Sequence, residues 1–149
     1  MTVDRPSPAA ASRKIGLIGL GSMGLGMARS LRRAGFDVAG YDVAKAAVDT
    51  FAAEGGRGAK SLAEVAADAG VVVSVVVNAT QTEAVLFGDN GIAAALRPDA
   101  VFISSATMDP AITRRLAERL EASGRHYLDA PMSGGAAKAN TGELTFMAS

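Results

Sequence analysis

The chain has 149 residues, about the size of one domain, and its 49% hydrophobic and 20% charged residues are typical of a soluble globular protein. Its 15 basic and 15 acidic residues give a formal net charge of zero, so no basic excess points to nucleic acid as a partner. The chain has no cysteine, which excludes disulfides and thiol chemistry and suits a reducing compartment, and we expect a cytoplasmic protein.

The first residues, Met1–Ser12, are rich in Pro, Ala and Ser and show no periodicity. They contain no apolar core of the signal-peptide kind, and we expect them to form a disordered leader. Residues 13–149 are expected to form one domain. Its longest apolar run, Val71–Val77, is too short to span a bilayer, so we expect no membrane association.

From Lys14 onward the sequence alternates between strand-like and helix-like segments. Strands are predicted over 14–18, 37–41, 71–77, 100–104 and 126–129, with a further strand over 144–148. Helices are predicted over 22–34, 44–54, 61–69, 80–87 and 109–123. This alternation predicts an α/β fold of the Rossmann type, a doubly wound and mainly parallel sheet with helices on both faces.

Three of these helices carry sequence signals for their first turn. Ser61–Glu64 and Thr80–Glu83 both fit the capping box, in which two side chains three residues apart bond to each other's backbone N–H groups. Asp109 followed by Pro110 supplies a cap and a proline at the first helical position. Gly124 is expected to end that helix.

The segment between the first strand and the first helix is rich in glycine, and it reads Gly19-Leu20-Gly21-Ser22-Met23-Gly24. Gly19 allows a sharp turn off the strand, Gly21 allows close approach of a ligand to the backbone, and Gly24 allows tight packing of the helix on the strand. A pyrophosphate can then lie at the positive end of the helix, against backbone groups that include those of Ser22 and Met23. This spacing predicts a dinucleotide-binding site.

Asp42 follows the second strand at the position where such sites hold the adenosine ribose. Its carboxylate would accept hydrogen bonds from the ribose hydroxyls and would repel a 2′-phosphate. NAD is therefore favoured over NADP as the cofactor. Lys45 lies close enough in sequence to weaken that discrimination.

Three further segments, Ser105–Pro110, Asp129–Ala136 and Gly142–Met147, together with Gly19–Ala28, resemble the β-hydroxyacid dehydrogenase family. That family includes 3-hydroxyisobutyrate dehydrogenase and tartronate semialdehyde reductase. The resemblance runs from Lys14 to Ser149, and its Asp-Ala-Pro-x-Ser-Gly-Gly element is far more specific than the glycine turn. The sequence variants at residues 77–83 and 104–107 look closest to the L-threonate dehydrogenase branch of the family.

The resemblance implies roles for three further parts of the chain. Ser133, Gly134 and Gly135 would hold the carboxylate of the substrate, although a flexible turn is the structural alternative. Thr107 would contact the cofactor near its nicotinamide end, although a threonine before Asp-Pro can also simply start a helix. Asn78 would lie in a cofactor-contacting loop after the central strand, where the family often has Leu-Pro-Asn.

The family's general acid and base is a lysine in a Gly-x-x-x-Gly-x-x-x-Lys-x-x-Asn type of motif. These 149 residues contain no match to it, and Lys138 is not in that context. His126 is given no catalytic role, and no group of residues has metal-ligand spacing. We therefore expect the N-terminal cofactor domain of a dehydrogenase roughly twice this size, able to bind NAD but inactive alone, with homo-oligomers formed only by the longer form.

The leading hypothesis is NAD-dependent oxidation of a 3-hydroxy acid, with an L-threonate-like sugar acid as the small-molecule substrate. Reduction of tartronate semialdehyde is one alternative. The 6-phosphogluconate dehydrogenases share the fold and a Ser-Gly-Gly element, but they usually take NADP, which Asp42 disfavours. A non-catalytic dinucleotide-binding module is the alternative from another class, and the Ser133–Gly135 element argues against it because a pure NAD sensor needs no carboxylate site.

Overall fold

Six parallel strands form the central sheet of the structure, a computed structural model that describes residues 13–149. The expected disordered leader, Met1–Ser12, lies outside the described residues. The strands are β1 Lys14–Ile18, β2 Asp37–Tyr41, β3 Arg57–Gly58, β4 Val71–Ser74, β5 Val101–Ser104 and β6 His126–Asp129, with a hairpin of β7 Met132–Ser133 and β8 Thr145–Phe146. The helices are α1 Ser22–Arg33, α2 Lys45–Ala53, α3 Leu62–Ala66, α4 Ala79–Phe87, α5 Pro110–Glu121 and α6 Gly135–Thr141.

The strand order of the sheet is β3-β2-β1-β4-β5-β6. The chain runs outward from β1 to β2 and β3, then crosses over to β4 on the other side of β1 and continues outward to β6. The direction of winding thus reverses between β1 and β4. In open parallel sheets ligands bind outside the carboxyl ends of the strands at such a reversal.

The sheet separates two apolar cores. On one face Val72 and Phe102 belong to a buried cluster that includes residues of α3, α4 and α5. On the other face Leu17 and Val38 belong to a second cluster with residues of α1, α2 and α6. Helices therefore cover both faces of a parallel sheet, and the predicted Rossmann-type fold is confirmed.

The central strand is shorter than predicted, because β4 ends at Ser74 and not at Val77. The Val75 N–H still donates to the Ile18 carbonyl at 2.7 Å, while on the other side the Ser105 N–H donates to the Ser74 carbonyl at 3.0 Å. The chain then leaves the sheet. Residues 75–77 line a cleft at the edge of the sheet, so their apolar character reflects that surface and not a longer strand.

Helix α4 begins at Ala79, and its N-cap is Asn78. The Asn78 side-chain oxygen accepts from the Gln81 N–H at 2.9 Å, and the Gln81 side-chain oxygen accepts from the Val77 N–H at 2.9 Å. The predicted capping box at Thr80–Glu83 is therefore wrong, because an equivalent pair of side chains acts two residues earlier.

The other two predicted helix starts are confirmed. The Ser61 hydroxyl accepts from the Glu64 N–H at 3.1 Å, and Asp109 accepts from the Ala111 N–H at 2.7 Å. Helix α3 ends at Ala66, three residues earlier than the prediction of 61–69.

Three elements were not predicted: the short strands β3 and β7, and helix α6. Strands of two residues are too short to show a hydrophobic period, and α6 has a glycine N-cap with no side-chain bond. The strand predicted over 144–148 is present only as β8, which pairs with β7 in antiparallel orientation. The segment after β8 also pairs with Asp129, whose carbonyl accepts from the Ser149 N–H at 2.9 Å.

An apolar groove of about 430 Å³ lies on the α1 side of the sheet. Its base is formed by Val73, Ile103 and Leu128, which are register partners in β4, β5 and β6. Leu144 and Phe146 line its edge, and Phe146 is 44% exposed. The helices of the described residues therefore cover the β1–β2 half of this face more completely than the β4–β6 half.

Candidate functional site

The glycine turn connects β1 to α1 with very little space between them. Gly19 has a φ of +96°, a conformation that side chains other than glycine rarely adopt. A Cβ placed on Gly24 would lie only 1.7 Å from the Gly19 carbonyl oxygen. The start of α1 therefore packs directly on the turn, at a distance that only glycine permits.

Gly21 lies at the N-cap of α1 and faces open space, because a Cβ placed on it would meet no atom within 4 Å beyond its two neighbours in the chain. The first helical hydrogen bond joins the Leu25 N–H to the Gly21 carbonyl at 2.8 Å. The N–H groups of Ser22 and Met23 therefore precede the helical ladder, and no acidic side chain occupies this turn. Free N–H donors at the positive end of a helix are suited to an anion such as a pyrophosphate.

Asp42, directly after β2, holds the glycine turn in place. One of its carboxylate oxygens accepts from the Leu20 N–H at 2.8 Å, and the other accepts from the Ala44 N–H at 2.8 Å. Sequence reasoning assigned Asp42 to the ribose and missed this structural role, which depends on a contact between residues 22 positions apart. Each carboxylate oxygen keeps acceptor capacity for a second donor, so the two roles are compatible.

A cleft of about 420 Å³ opens at the carboxyl ends of β1, β2 and β4. Gly19, Gly21 and Asp42 all line it, so the structure brings these three predicted residues together. Two valines on the cleft are unusually exposed for apolar side chains, Val43 at 93% and Val77 at 79%. The cleft therefore combines backbone donors, a carboxylate and apolar surface. Its remaining lining residues are Ile18, Tyr41, Leu62, Val75, Val76, Gln81, Ala84 and Val85.

Asn78 and Thr107 lie outside the lining of this cleft. Asn78 is exposed at its edge, next to Val77, and its side chain is used to cap α4. Thr107 is exposed after β5, the strand beside β4. Both residues are at the carboxyl edge of the sheet, the edge that carries the glycine turn.

The Ser133–Gly135 segment also lies beyond the carboxyl end of the sheet, after β6. All three residues are exposed, and the two glycines have φ values of +137° and +74°. Helix α6 follows and packs on α1. The Ser30 hydroxyl donates to the Ala139 carbonyl at 2.6 Å, and Arg29 donates to the Asn140 side-chain oxygen at 3.1 Å. The helix that begins at the glycine turn thus also supports the Ser133–Gly135 segment.

Other candidate chemistry is not found in the part of the chain that the structure describes. No three side chains of His, Cys, Asp or Glu among residues 13–149 are grouped so as to hold a metal ion. His126 lies at the amino end of β6, where its Nε2 atom is 3.6 Å from Asp99. No helix within residues 13–149 is both long enough and apolar enough to cross a membrane.

The fold and the glycine turn define a dinucleotide-binding domain of the Rossmann class. Residues 14–149 match the family described as the NAD binding domain of 6-phosphogluconate dehydrogenase. The chain therefore belongs to that family, and its resemblance to the β-hydroxyacid dehydrogenases is confirmed by the relatives it matches.

Two curated relatives illustrate the match. The chain is 51% identical over 138 residues to L-threonate dehydrogenase of Cupriavidus necator, covering 93% of this chain and 46% of the relative. It is 36% identical over 138 residues to mitochondrial 3-hydroxyisobutyrate dehydrogenase of Mus musculus, covering 93% of this chain and 41% of the relative. A crystal structure of 3-hydroxyisobutyrate dehydrogenase from Salmonella typhimurium superposes with a TM-score of 0.85 at 42% identity, covering 90% of this chain and 47% of that one. The chain thus spans less than half the length of these relatives.

Proposed function

We propose that this chain binds NAD in the cleft at the carboxyl ends of β1, β2 and β4. The observation that carries the proposal is the convergence of Gly19, Gly21 and Asp42 on one cleft. The pyrophosphate would lie over Gly21, where a Cβ would otherwise stand, and would accept from the free N–H groups at the start of α1. The ribose would bind Asp42, and the exposed valines, Val43 and Val77, offer apolar surface to the adenine ring.

The same geometry supports NAD over NADP. A 2′-phosphate on the ribose would face the Asp42 carboxylate, and two negative groups in contact repel each other. Lys45 was a candidate to offset this repulsion, but its ammonium group bonds Asp49 at 3.0 Å, one turn further along α2. The cleft therefore presents a carboxylate whose charge is not paired with Lys45, the lysine closest to it in sequence.

The proposed reaction is oxidation of a 3-hydroxy acid of the L-threonate type. Bound NAD would supply the hydride acceptor. Ser133 would donate its exposed hydroxyl to the substrate carboxylate, and Gly134 and Gly135 would offer backbone N–H groups to it. Thr107 would orient the nicotinamide end of the cofactor. The name of the Cupriavidus necator relative supports the choice of substrate.

Proton transfer in this reaction would need a general acid and base in addition to the residues named above for the cofactor and the substrate. The resemblance assigns that step to a lysine in a motif that these 149 residues do not contain. General acid–base groups contribute about 10²–10⁴-fold to rate. We therefore propose that the chain binds cofactor by itself, and that turnover of L-threonate requires the longer organisation found in its relatives.

Calorimetric titration of the chain with NAD and with NADP tests the cofactor assignment. We expect NAD to bind at least tenfold more tightly than NADP, a difference of about 1.4 kcal/mol. The matched variant is Asp42→Asn, which keeps one oxygen acceptor for the Leu20 N–H but loses the charge. In this variant the ratio of the two affinities should fall. Failure of the chain to bind either nucleotide would refute the proposed function, and tighter binding of NADP would refute the preference.

A further inference from the structure

A row of polar side chains lies across the carboxyl ends of β4, β5 and β6. Ser74 and Ser104 are register partners, and Ser104 and Asp129 are the next pair in the same row. Register partners in a parallel sheet point to the same face, and side chains two residues apart along a strand also share a face. Tyr127 therefore lies on the face of Asp129. We call these four residues the polar row.

The polar row belongs to the face of the sheet that α3, α4 and α5 cover. Phe102, two residues before Ser104, is part of the buried cluster on that face. The Tyr127 ring packs beside the Phe102 ring, with their centroids 5.6 Å apart. The four polar groups therefore lie at the boundary between an apolar core and the loops that follow the strands.

The groups of the polar row are buried without adequate partners. Ser74 and Ser104 are 0% exposed. Their two hydroxyls, the Tyr127 phenol and one carboxylate oxygen of Asp129 have no hydrogen-bond partner among the described residues. Few buried polar groups in folded proteins lack a partner, so four in one row require an explanation.

The members of the row are close enough to influence one another. Burial raises the pKa of the Tyr127 phenol, the facing Ser104 hydroxyl acts in the opposite direction, and the charge of Asp129 raises the pKa further. Burial also raises the pKa of the Asp129 carboxyl. The Ser104 hydroxyl thus lies close to the phenol, and both groups keep unused bonding capacity.

We propose that Ser74, Ser104, Tyr127 and Asp129 form a buried water-binding site that joins the carboxyl ends of β4, β5 and β6. Ordered internal waters typically make about three hydrogen bonds to buried polar groups that lack other partners, and the row offers four such groups. The hydroxyls and the phenol both donate and accept, so water can bridge them in either direction.

The proposed water site would position three segments of the candidate functional site. The three strands that it joins lead directly into the segments that carry Asn78, Thr107 and Ser133. Bound water would fix the strand ends relative to one another and so set the spacing of these segments. The proposal stands independently of the proposed function, because its ligand is water and its test uses no nucleotide.

A high-resolution crystal structure of the chain tests the proposal. We expect a density peak within about 2.7–3.2 Å of at least two groups of the polar row. The peak should be absent in the Ser74→Ala/Ser104→Ala double variant. It should remain in a Ser123→Ala control, whose hydroxyl bonds the Leu120 carbonyl elsewhere in the fold. If the double variant does not fold, the electron-density map of the wild-type chain alone tests whether water binds to the polar row.

Two results would overturn the proposal. The wild-type map could show no peak, with the hydroxyls of the polar row bonded directly to one another or to backbone carbonyls. It could also show a peak with the shorter distances and higher coordination number of a metal cation, which would contradict water as the ligand.

In solution, amide hydrogen exchange gives a second measure. In the double variant the N–H groups of Ser105 and Ala130, which bond the carbonyls of Ser74 and Ser104, should exchange faster, while unchanged rates would contradict the joining role.

Discussion

The two halves of the candidate site are built differently. The glycine turn is fixed by close packing and hydrogen bonding, although Gly21 itself is exposed: Gly24 packs against Gly19, and Asp42 accepts from the Leu20 N–H at 2.8 Å. The Ser133–Gly135 segment is exposed, its two glycines have positive φ, and it depends for position on the docking of α6 onto α1. The first half is therefore formed before any ligand binds, whereas the second is positioned mainly by the helix that follows it, α6.

Gly24→Ala should give the largest effect, and it acts on stability. The new Cβ would stand 1.7 Å from the Gly19 carbonyl oxygen, and both groups are backbone or attached directly to it. Overpacking in a core typically costs about 1–3 kcal/mol, and a contact this short should exceed that range. Urea unfolding followed by circular dichroism measures it. A loss below about 1 kcal/mol would show that the turn can adjust and is not rigidly packed.

Gly21→Ala should weaken NAD binding and leave the free energy of unfolding nearly unchanged. Beyond its two neighbours in the chain, a Cβ there meets no atom within 4 Å, so the unfolding free energy should change by no more than about 0.5 kcal/mol. The same methyl group would occupy the space proposed for the pyrophosphate. We expect NAD affinity to fall at least tenfold in calorimetric titration. Because Gly24→Ala and Gly21→Ala add the same group three residues apart, they separate folding from binding. Unchanged affinity would place the pyrophosphate elsewhere.

These two glycines also show why the backbone geometry of the first half of the candidate site could be predicted from sequence. Their roles come from local backbone geometry, which the spacing of a strand, a turn and a helix already specifies. Strands 14–18, 37–41 and 126–129 were predicted with their observed bounds for a similar reason, since each is a short run bounded by helical or turn signals.

Other features depend on contacts that no local pattern records. The bond from the Leu20 N–H to Asp42 joins residues far apart in sequence. Helix α6 has no cap signal, and it is held in place by Ser30 of α1, which donates to the Ala139 carbonyl. Residues 75–77 are apolar because they line the cleft, and sequence alone could not distinguish that from a longer strand.

Asp129→Asn should give a smaller, pH-dependent effect near the second half of the site. Burial raises the pKa of the Asp129 carboxyl in the folded chain. Between the ordinary aspartate pKa of about 3.9 and that raised value, the folded state binds more protons than the unfolded state, so Asp129 lowers stability as pH rises. The substitution replaces the carboxyl with a neutral amide and so removes this penalty.

The measurement for Asp129 is the difference in unfolding free energy between the variant and the wild type, taken from acidic to neutral pH. We expect the difference to shift in favour of the variant as pH rises through the window and then to become constant. Comparing the two proteins at each pH cancels the contributions of their other carboxylates. A difference that is independent of pH would show that Asp129 ionises as freely in the folded chain as in the unfolded one.

Ser133→Ala should leave both NAD affinity and stability nearly unchanged. The side chain is exposed, and the register of Ser133 with Thr145 in the β7–β8 hairpin involves backbone groups that alanine retains. Ser133 also lies outside the lining of the cleft, so the proposal gives its hydroxyl to the substrate and not to the cofactor. The calorimetric titration used for Gly21→Ala measures this directly. A large loss of NAD affinity would mean that the segment contacts the cofactor, and that the division of the site into a tightly packed cofactor half and a separate substrate half is wrong.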